Sequence, residues 1–317
     1  MKLYEMGYVK SKTGDVGIEI EVEGLEPLPT MDSEYWMSKK EDSLRNHGME
    51  YITKGPLKRG ERLKEAVTLA CKKINVRKTV KNCPRTSIHV HVNVSNYTLT
   101  QIVTGVTAFW LVENLLARYC GEDRESNLFC LRLKDAEGVL DLFSKSLDGN
   151  APFSRLNNHV RYAGLNTSAL TMHGSLEVRL KGGTTDPEEI IEWANEMHNL
   201  FQNASTLFKS PEELFDFYLE RGARALIPTL FSGWFAAKLM GVTTFWEELV
   251  EENAMLLFDL AYTKKWDTWE KKVEEVYKPP NKKDSPMYAI TSGTSGGTLT
   301  SYINAITSTP ASYDIDE

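Results

Sequence analysis

The sequence predicts an α+β protein, and three observations carry that reading. Three stretches alternate strictly between apolar and polar residues: Asp15 to Gly24, Ser87 to Ser95, and Ser175 to Leu180. Between and after them run segments with apolar residues at helical spacing, at 59–74, 100–116 and 186–208. From Pro211 to Tyr277 the pattern is helical throughout. A period of two marks a strand with one buried face, and a period near 3.6 marks a helix with one buried stripe.

A chain of 317 residues, 41% of them hydrophobic, has the apolar material for a sizeable core. Its 37 Lys and Arg against 44 Asp and Glu give a net charge of −7, with a pI near 5.6. That balance argues against nucleic acid as the general partner. There is a local exception: between Lys54 and Arg85 stand eleven Lys or Arg against only Glu61 and Glu65. The ordinary reading of such a run is a solvated helix face; the functional one is a surface that attracts an anionic substrate or nucleotide. Cys71, Cys83, Cys120 and Cys130 show no CxxC pairing, so neither a zinc site nor a disulfide framework is signalled. Reduced thiols and a cytoplasmic setting are expected. The first residues form no apolar signal, and Leu230 to Met240, read as the most apolar later stretch, is short and carries Lys238, so no membrane partner is expected.

Taken in order, residues 1–14 read as a lead-in to the strand Val16-Gly17-Ile18-Glu19-Ile20-Glu21-Val22-Glu23, whose three glutamates share one face. Such a row of like charges calls for a bound cation or an open solvated edge. A hairpin follows, with Asn46 to Gly48 as its turn and Met49 to Thr53 as its return strand, carrying Asp42 and Glu50. Leu63, Ala66, Val67, Ala70 and Ile74 then mark a helix covering the sheet. In Ser87 to Ser95 the valines and Ile88 face one way, and His89, His91 and Asn93 the other. The next helix is heavily buried, with Thr100 as its expected cap. A weaker helical pattern spans 133–147, and 155–166 is polar and turn-rich. Glu177 and Arg179 share a face of the third alternating strand. Asp186 before Pro187, Glu188 and Glu189 then starts another helix. Pro279-Pro280 ends the helical region, and the remainder has the composition of a flexible tail.

Three strands thus each present polar residues at i and i+2. One HxH or ExR alone is as readily a hydrogen-bonded pair or a cross-strand ion pair. Several on separate strands, with every intervening residue apolar, suit a polar sheet face converging on one cavity. The set is oxygen-rich with some imidazole and no thiolate, which favours Mg²⁺ or Mn²⁺ over zinc. The five carboxylates Glu19, Glu21, Asp42, Glu50 and Glu177 are enough for two or three ions, an arrangement suited to phosphoryl transfer from a nucleotide.

The strand GIEIEVEG, the hairpin acids Asp42 and Glu50, the strand SIHVHVNVS and the strand SLEVR together resemble the amidoligase family. These are carboxylate-amine ligases that share the catalytic core of glutamine synthetase and the glutamate-cysteine ligases. The resemblance covers roughly residues 15 to 205 and implies an antiparallel sheet curved around the site and backed by helices. It further implies that Glu21, Asp42 and Glu50 hold one metal, and that Glu19, His89 and Glu177 hold the metal bridging the nucleotide phosphates. His91 would then lie against the nucleotide. Arg179 would bind the substrate carboxylate or the transferring phosphoryl group, and Arg161 a phosphate. His47, His159, His173 and His198 are read as turn, surface or helix histidines.

The implied function is an ATP-dependent ligase acting through an acyl phosphate, with ATP and Mg²⁺ or Mn²⁺ as cofactors and a small molecule or peptide as substrate. Relatives of this kind are often found in bacteria and their phages, and the expected setting is the cytoplasm, that of the host if the chain is phage-encoded. Three alternatives stay open: a phosphotransferase like the guanidino kinases, a metal-dependent hydrolase using the HxH pair, and a non-catalytic binding protein. The expected division is a catalytic domain over 1–210, a helical extension over 211–278 and a tail over 279–317.

Overall fold

The computed structural model describes residues 1–76, 79–125, 127–136, 138–149, 151–156 and 161–276; the expected tail and His159 lie outside them. Residues 1–277 form one compact unit. Among the described residues it holds seven strands and eleven α-helices. The strands are β1 (Val16–Gly24), β2 (Trp36–Lys40), β3 (Met49–Thr53), β4 (Val80–Lys81), β5 (Ser87–Asn93), β6 (Leu165–Asn166) and β7 (Ser175–Gly182). They form an open, antiparallel sheet in the order β2-β3-β1-β5-β7-β6, with β4 paired to the end of β1 beyond β5.

The alternation read in the sequence decides which face is buried. Val16, Ile18, Ile20 and Val22 of β1, Ile88, Val90 and Val92 of β5, and Leu176, Val178 and Leu180 of β7 have no exposed surface. Against this face pack α2 (Leu99–Cys120) and α6 (Pro187–Leu207), with α1 (Glu61–Ile74) packed on α6. Trp36 of β2, itself buried, donates its indole N–H to the Ala66 carbonyl of α1 at 2.9 Å. Each side chain buried here contributes on the order of 1.5–3 kcal/mol, so register is strongly specified: a slip by one residue would turn this face to water.

Helix starts follow local chemistry. Asp186 caps α6, its side chain accepting from the Glu188 N–H at 2.9 Å, with Pro187 first in the helix. The cap of α2 is Thr98 rather than the expected Thr100, because Gln101 completes a reciprocal capping box with Thr98. Thr100 is buried within the first turn. The weak pattern at 133–147 resolves into a single 3₁₀ turn, Leu133–Asp135, and α4 (Val139–Ser146).

The helical stretch after 210 comprises α7 (Pro211–Arg221), α8 (Ala223–Leu230), α9 (Gly233–Met240), α10 (Trp246–Tyr262) and α11 (Trp266–Val276). Of these α7, α9, α10 and α11 contact α2, which is therefore the axis between the sheet and the C-terminal helices. It is also, among the described residues, the one helix long and apolar enough to cross a bilayer. Its most apolar window is 94% buried within the protein, as in a core helix. The remaining short helices are α3 (Glu122–Glu125) and α5 (Ala169–His173). All four cysteines are free.

Candidate active site

The polar face of the sheet is built by register. Glu21 on β1 stands opposite Glu50 on β3; Glu19 stands opposite His89 on β5; His91 stands opposite Glu177 on β7; and Glu177 stands opposite Asn166 on β6. Strand separation of about 5 Å therefore brings carboxylates and imidazoles from four strands, and an amide from a fifth, into one band.

The contacts within the band are short. His89 Nδ1 lies 2.9 Å from Glu19 Oε2 and 3.5 Å from Glu177 Oε1, while its Nε2 lies 2.6 Å from Ser87 Oγ. Ser87 donates in turn to Glu21. His91 Nε2 lies 3.2 Å from Glu19 Oε1, and its Nδ1 lies 3.1 Å from Ser175 Oγ. Glu177 accepts from Arg179 Nη1 on one oxygen and from Asn166 Nδ2 on the other, each at 2.6 Å. His89, Glu21, Glu50 and Glu177 are all buried.

This arrangement sets the charges. Burial would push the Glu19 carboxyl up, but the imidazoles of His91 and His89 beside it hold it well below the usual range. Glu177 is likewise lowered: burial opposes ionisation, and His91, Arg179 and His89 together overcome it. Glu50 goes the other way, pushed up to about 7 by burial and by the nearby Glu19 charge, which the ion pair with Lys39 at 2.6 Å only partly offsets. Burial would lower the His91 imidazole, but Glu177 and Glu19 raise it.

Two groups of ligand atoms lie within 4.8 Å of one another: Glu19, His91 and Glu177, and Glu19, Glu50 and His89. Glu19 belongs to both. Carboxylate oxygens with an imidazole nitrogen are the donor set of a hard divalent ion, and two buried acids that repel one another gain from a cation between them. The residues therefore fit such an ion. The grouping differs from the one implied by the resemblance: His91 joins Glu177, because the two are directly opposite in register, and Glu21 stands beside the second group, its nearest approach to His89 being 3.7 Å.

Asp42 is not brought to the band. It lies exposed in the β2–β3 connection, and Glu41 lines the cavity instead. The cause is how that turn is pinned. Glu23, buried at the end of β1, accepts from the Arg45 N–H at 2.8 Å and from Asn46 Nδ2 at 3.2 Å. Asn46 takes the left-handed conformation at φ 55°, and Leu44 is buried. With 44–46 fixed from below, Glu41 and Ser43 face the cavity.

The band separates two cavities. One, of about 200 Å³, is lined by Glu19 and His91 together with Gly17, Lys12, Lys54 and His173. A Cβ on Gly17 would come within 3.3 Å of Thr53 Oγ1 and 3.5 Å of His91 Cβ, so glycine keeps this floor open. His173, the exposed last residue of α5, lies edge-on to His91 with ring centroids 6.0 Å apart and adds to this wall. The second cavity, of about 180 Å³, is bordered by Glu21, Glu50 and His89 on its floor and by Arg85, Arg161 and Arg179. Arg179 and Arg161 thus lie on this side, away from His91.

Arg179 owes its aim to a bulge. Between the pairs Ile88 with Lys181 and Val90 with Val178 the register slips, so that Arg179 and Leu180 together oppose His89. The carbonyls of these two residues accept from the buried Arg124, at 2.7 Å from Nη2 and 2.8 Å from Nε. Arg124 also donates to the Pro84 carbonyl at 3.4 Å, next to Arg85. The sequence pattern singles out none of Arg124, Ser87, Asn166, Arg85, Phe129 and Tyr162, although Arg85 closes the basic block, Ser87 opens the second alternating strand, and Tyr162 and Asn166 lie in the polar stretch 155–166.

A family model described as "Putative amidoligase enzyme" matches residues 30–200, more than half of the chain. The match takes in Glu50, His89, His91, Arg161, Glu177 and Arg179, while Glu19 and Glu21 precede it. No curated protein matches the chain.

Proposed function

The chain belongs to the amidoligase family, and from that premise we propose that it is an ATP-dependent ligase joining a carboxylate to an amine. The observation that carries the reading is the band itself: two overlapping groups of hard ligands, sharing Glu19, set between a cavity edged by lysines and one edged by arginines. That is the layout expected when a nucleotide enters from one side, an acid from the other, and their reacting groups meet at the band.

In this reading Glu19, His91 and Glu177 hold one divalent cation, and Glu19, Glu50 and His89 another, with Glu21 beside them. When bound, the cations would screen the charge spread over the transferring phosphoryl group. Lys12, Lys54 and His91 receive the nucleotide phosphates. A carboxylate oxygen of the acid attacks the terminal phosphorus, and the bond to the ADP oxygen breaks with its electron pair staying on ADP. The amine nitrogen then displaces phosphate from the acyl carbon and gives up a proton to it. Arg179, partly exposed and fixed by the bulge, stands where the acid's reacting end arrives, so its charge acts on the phosphoryl oxygens without reorganisation.

The test is turnover by the purified full chain with ATP and Mg²⁺ across a panel of amino acids and peptides, with products identified by mass. ADP, phosphate and a product equal to the two substrates less one water are expected. Accumulation of a phosphorylated substrate would favour a phosphotransferase, and product formation without nucleotide would overturn the ligase reading.

A further inference from the structure

The mouth of the arginine-edged cavity carries a cluster that the reaction described above does not use. Arg85 lies over the Phe129 ring at 5.8 Å from its centroid, and Arg161 lies over the Tyr162 ring at 4.5 Å. The two rings meet edge to face with centroids 6.2 Å apart. All four residues line the same cavity, so two guanidinium groups are held side by side on one aromatic platform.

Among the described residues no carboxylate neutralises either guanidinium. Among the described residues Arg85 donates to the Ser43 carbonyl at 3.4 Å and Arg161 to the Tyr162 hydroxyl, and neither forms an ion pair. Arg179 deeper in the cavity is different, being paired with Glu177 at 2.6 Å. The platform itself is well anchored. Leu131, two residues after Phe129, donates its N–H to the Tyr162 carbonyl at 2.7 Å and accepts from the Gly164 N–H at 2.7 Å. The Arg85 turn is held by Arg124 and by Asn127 Nδ2, which donates to the Pro84 carbonyl at 2.7 Å.

A guanidinium packed on a ring has lost part of its hydration and presents its remaining N–H groups in a fixed plane, the form that binds carboxylate or phosphate oxygens best. Two of them, uncompensated, at the mouth of a cavity whose floor bears the reacting band call for a ligand with a second negative group. We propose that Arg85 and Arg161, seated on Phe129 and Tyr162, clamp a second anionic group of the acid substrate. The acid would thus be a dicarboxylate or an acidic amino acid, bound with one carboxylate at the floor and the other at the mouth. This rests on the ligase reading for the fate of the inner carboxylate, but not for binding. A cavity of about 180 Å³ suits a molecule of that size.

The same guanidinium chemistry would also take a nucleotide phosphate, and binding measurements separate the two sources. Calorimetry on the full chain with Mg²⁺ would compare succinate, glutarate and adipate with their monocarboxylate counterparts butanoate, pentanoate and hexanoate, and would titrate ATP separately. At least one diacid is expected to bind tenfold or more tightly than its monoacid. In Arg85→Gln and Arg161→Gln that preference should shrink to threefold or less, with monoacid and ATP affinity unchanged, and Arg85→Lys should retain part of it. No diacid preference in the native chain, or a preference that survives in both Gln variants, overturns the clamp; so does a loss of ATP affinity in place of diacid affinity. A diacid preference in a protein that fails to turn over ATP would retain the clamp and overturn the ligase reading alone.

Discussion

Glu113 has no exposed surface, accepts the Leu133 N–H at 2.6 Å on one oxygen, and among the described residues has no hydrogen-bond partner for the other. Burial pushes its carboxyl up to about 8. A carboxyl raised in the folded state binds its proton more tightly there than in the unfolded chain, so the stability it contributes is present at low pH. That stability is lost as pH climbs from about 4.5 to about 8, at up to roughly 1.4 kcal/mol per pH unit. Glu113→Gln keeps the acceptor for Leu133 and cannot ionise. Urea unfolding across that range should show a shallower fall in stability for the variant than for the native chain; parallel curves would mean that Glu113 is not the titrating group. Other residues give sharper expectations at the band. Glu19, His89, His91, Glu177 and Arg179 were legible in the sequence because period-two spacing fixes a side chain's face before any partner is known. Asp42 was misassigned because it sits in a turn, where no period exists and Glu23 and Leu44 decide which neighbour faces inward.

At the scale of elements, loops supply what the strands do not. Thr86 is locked into the turn before β5: its hydroxyl donates to the Cys83 carbonyl and accepts from the Cys83 N–H, both at 2.9 Å. A Cβ on Gly183, at the end of β7, would lie 2.2 Å from Thr86 Oγ1 and 2.7 Å from its Cβ. Gly183→Ala must therefore shift the turn that carries Arg85, and should cost about 1–3 kcal/mol in a urea melt; a neutral result would mean that the turn yields freely. Glu23→Ala should similarly release the 44–46 turn, at about 1–3 kcal/mol for the two lost acceptor contacts, and should disorder Glu41 and Ser43 at the cavity edge. Hydrogen exchange at the Arg45 amide reports it directly, and unchanged protection there would exclude this role for Glu23. These elements explain why the arginine cluster was illegible. Arg85, Phe129 and Tyr162 come from three connections distant in sequence, held together by the Leu131–Tyr162 backbone pairing, by Asn127 and by a bulge whose two carbonyls accept from Arg124. Neither periodicity nor composition registers a bulge.

At the scale of the molecule, α2 joins the site-bearing sheet to the helices after 210, and a buried polar contact marks the seam. Asn253 of α10 donates to the Trp110 carbonyl at 2.6 Å and accepts from Asn114 Nδ2 at 3.0 Å, both asparagines being almost wholly buried. Replacing Asn253 by Leu leaves Asn114 with less than its due and should cost about 1–3 kcal/mol without altering cation affinity. A change in cation binding would show that the helices shape the site. The alternation on separate strands made the sheet and its helical cover readable, whereas the dependence on α2 as a common axis was not, since long-range helix contacts leave no local pattern.

Glu19 is the one residue common to both ligand groups, so a cation site at the band would be organised around it. Titration of the full chain with Mn²⁺, followed by electron paramagnetic resonance, tests it most directly. Two or more ions per native chain are expected, with spectra broadened by their proximity, and Glu19→Gln should lose the broadened signal and at least tenfold in affinity while still folding. Mn²⁺ binding that is undiminished in Glu19→Gln would contradict it.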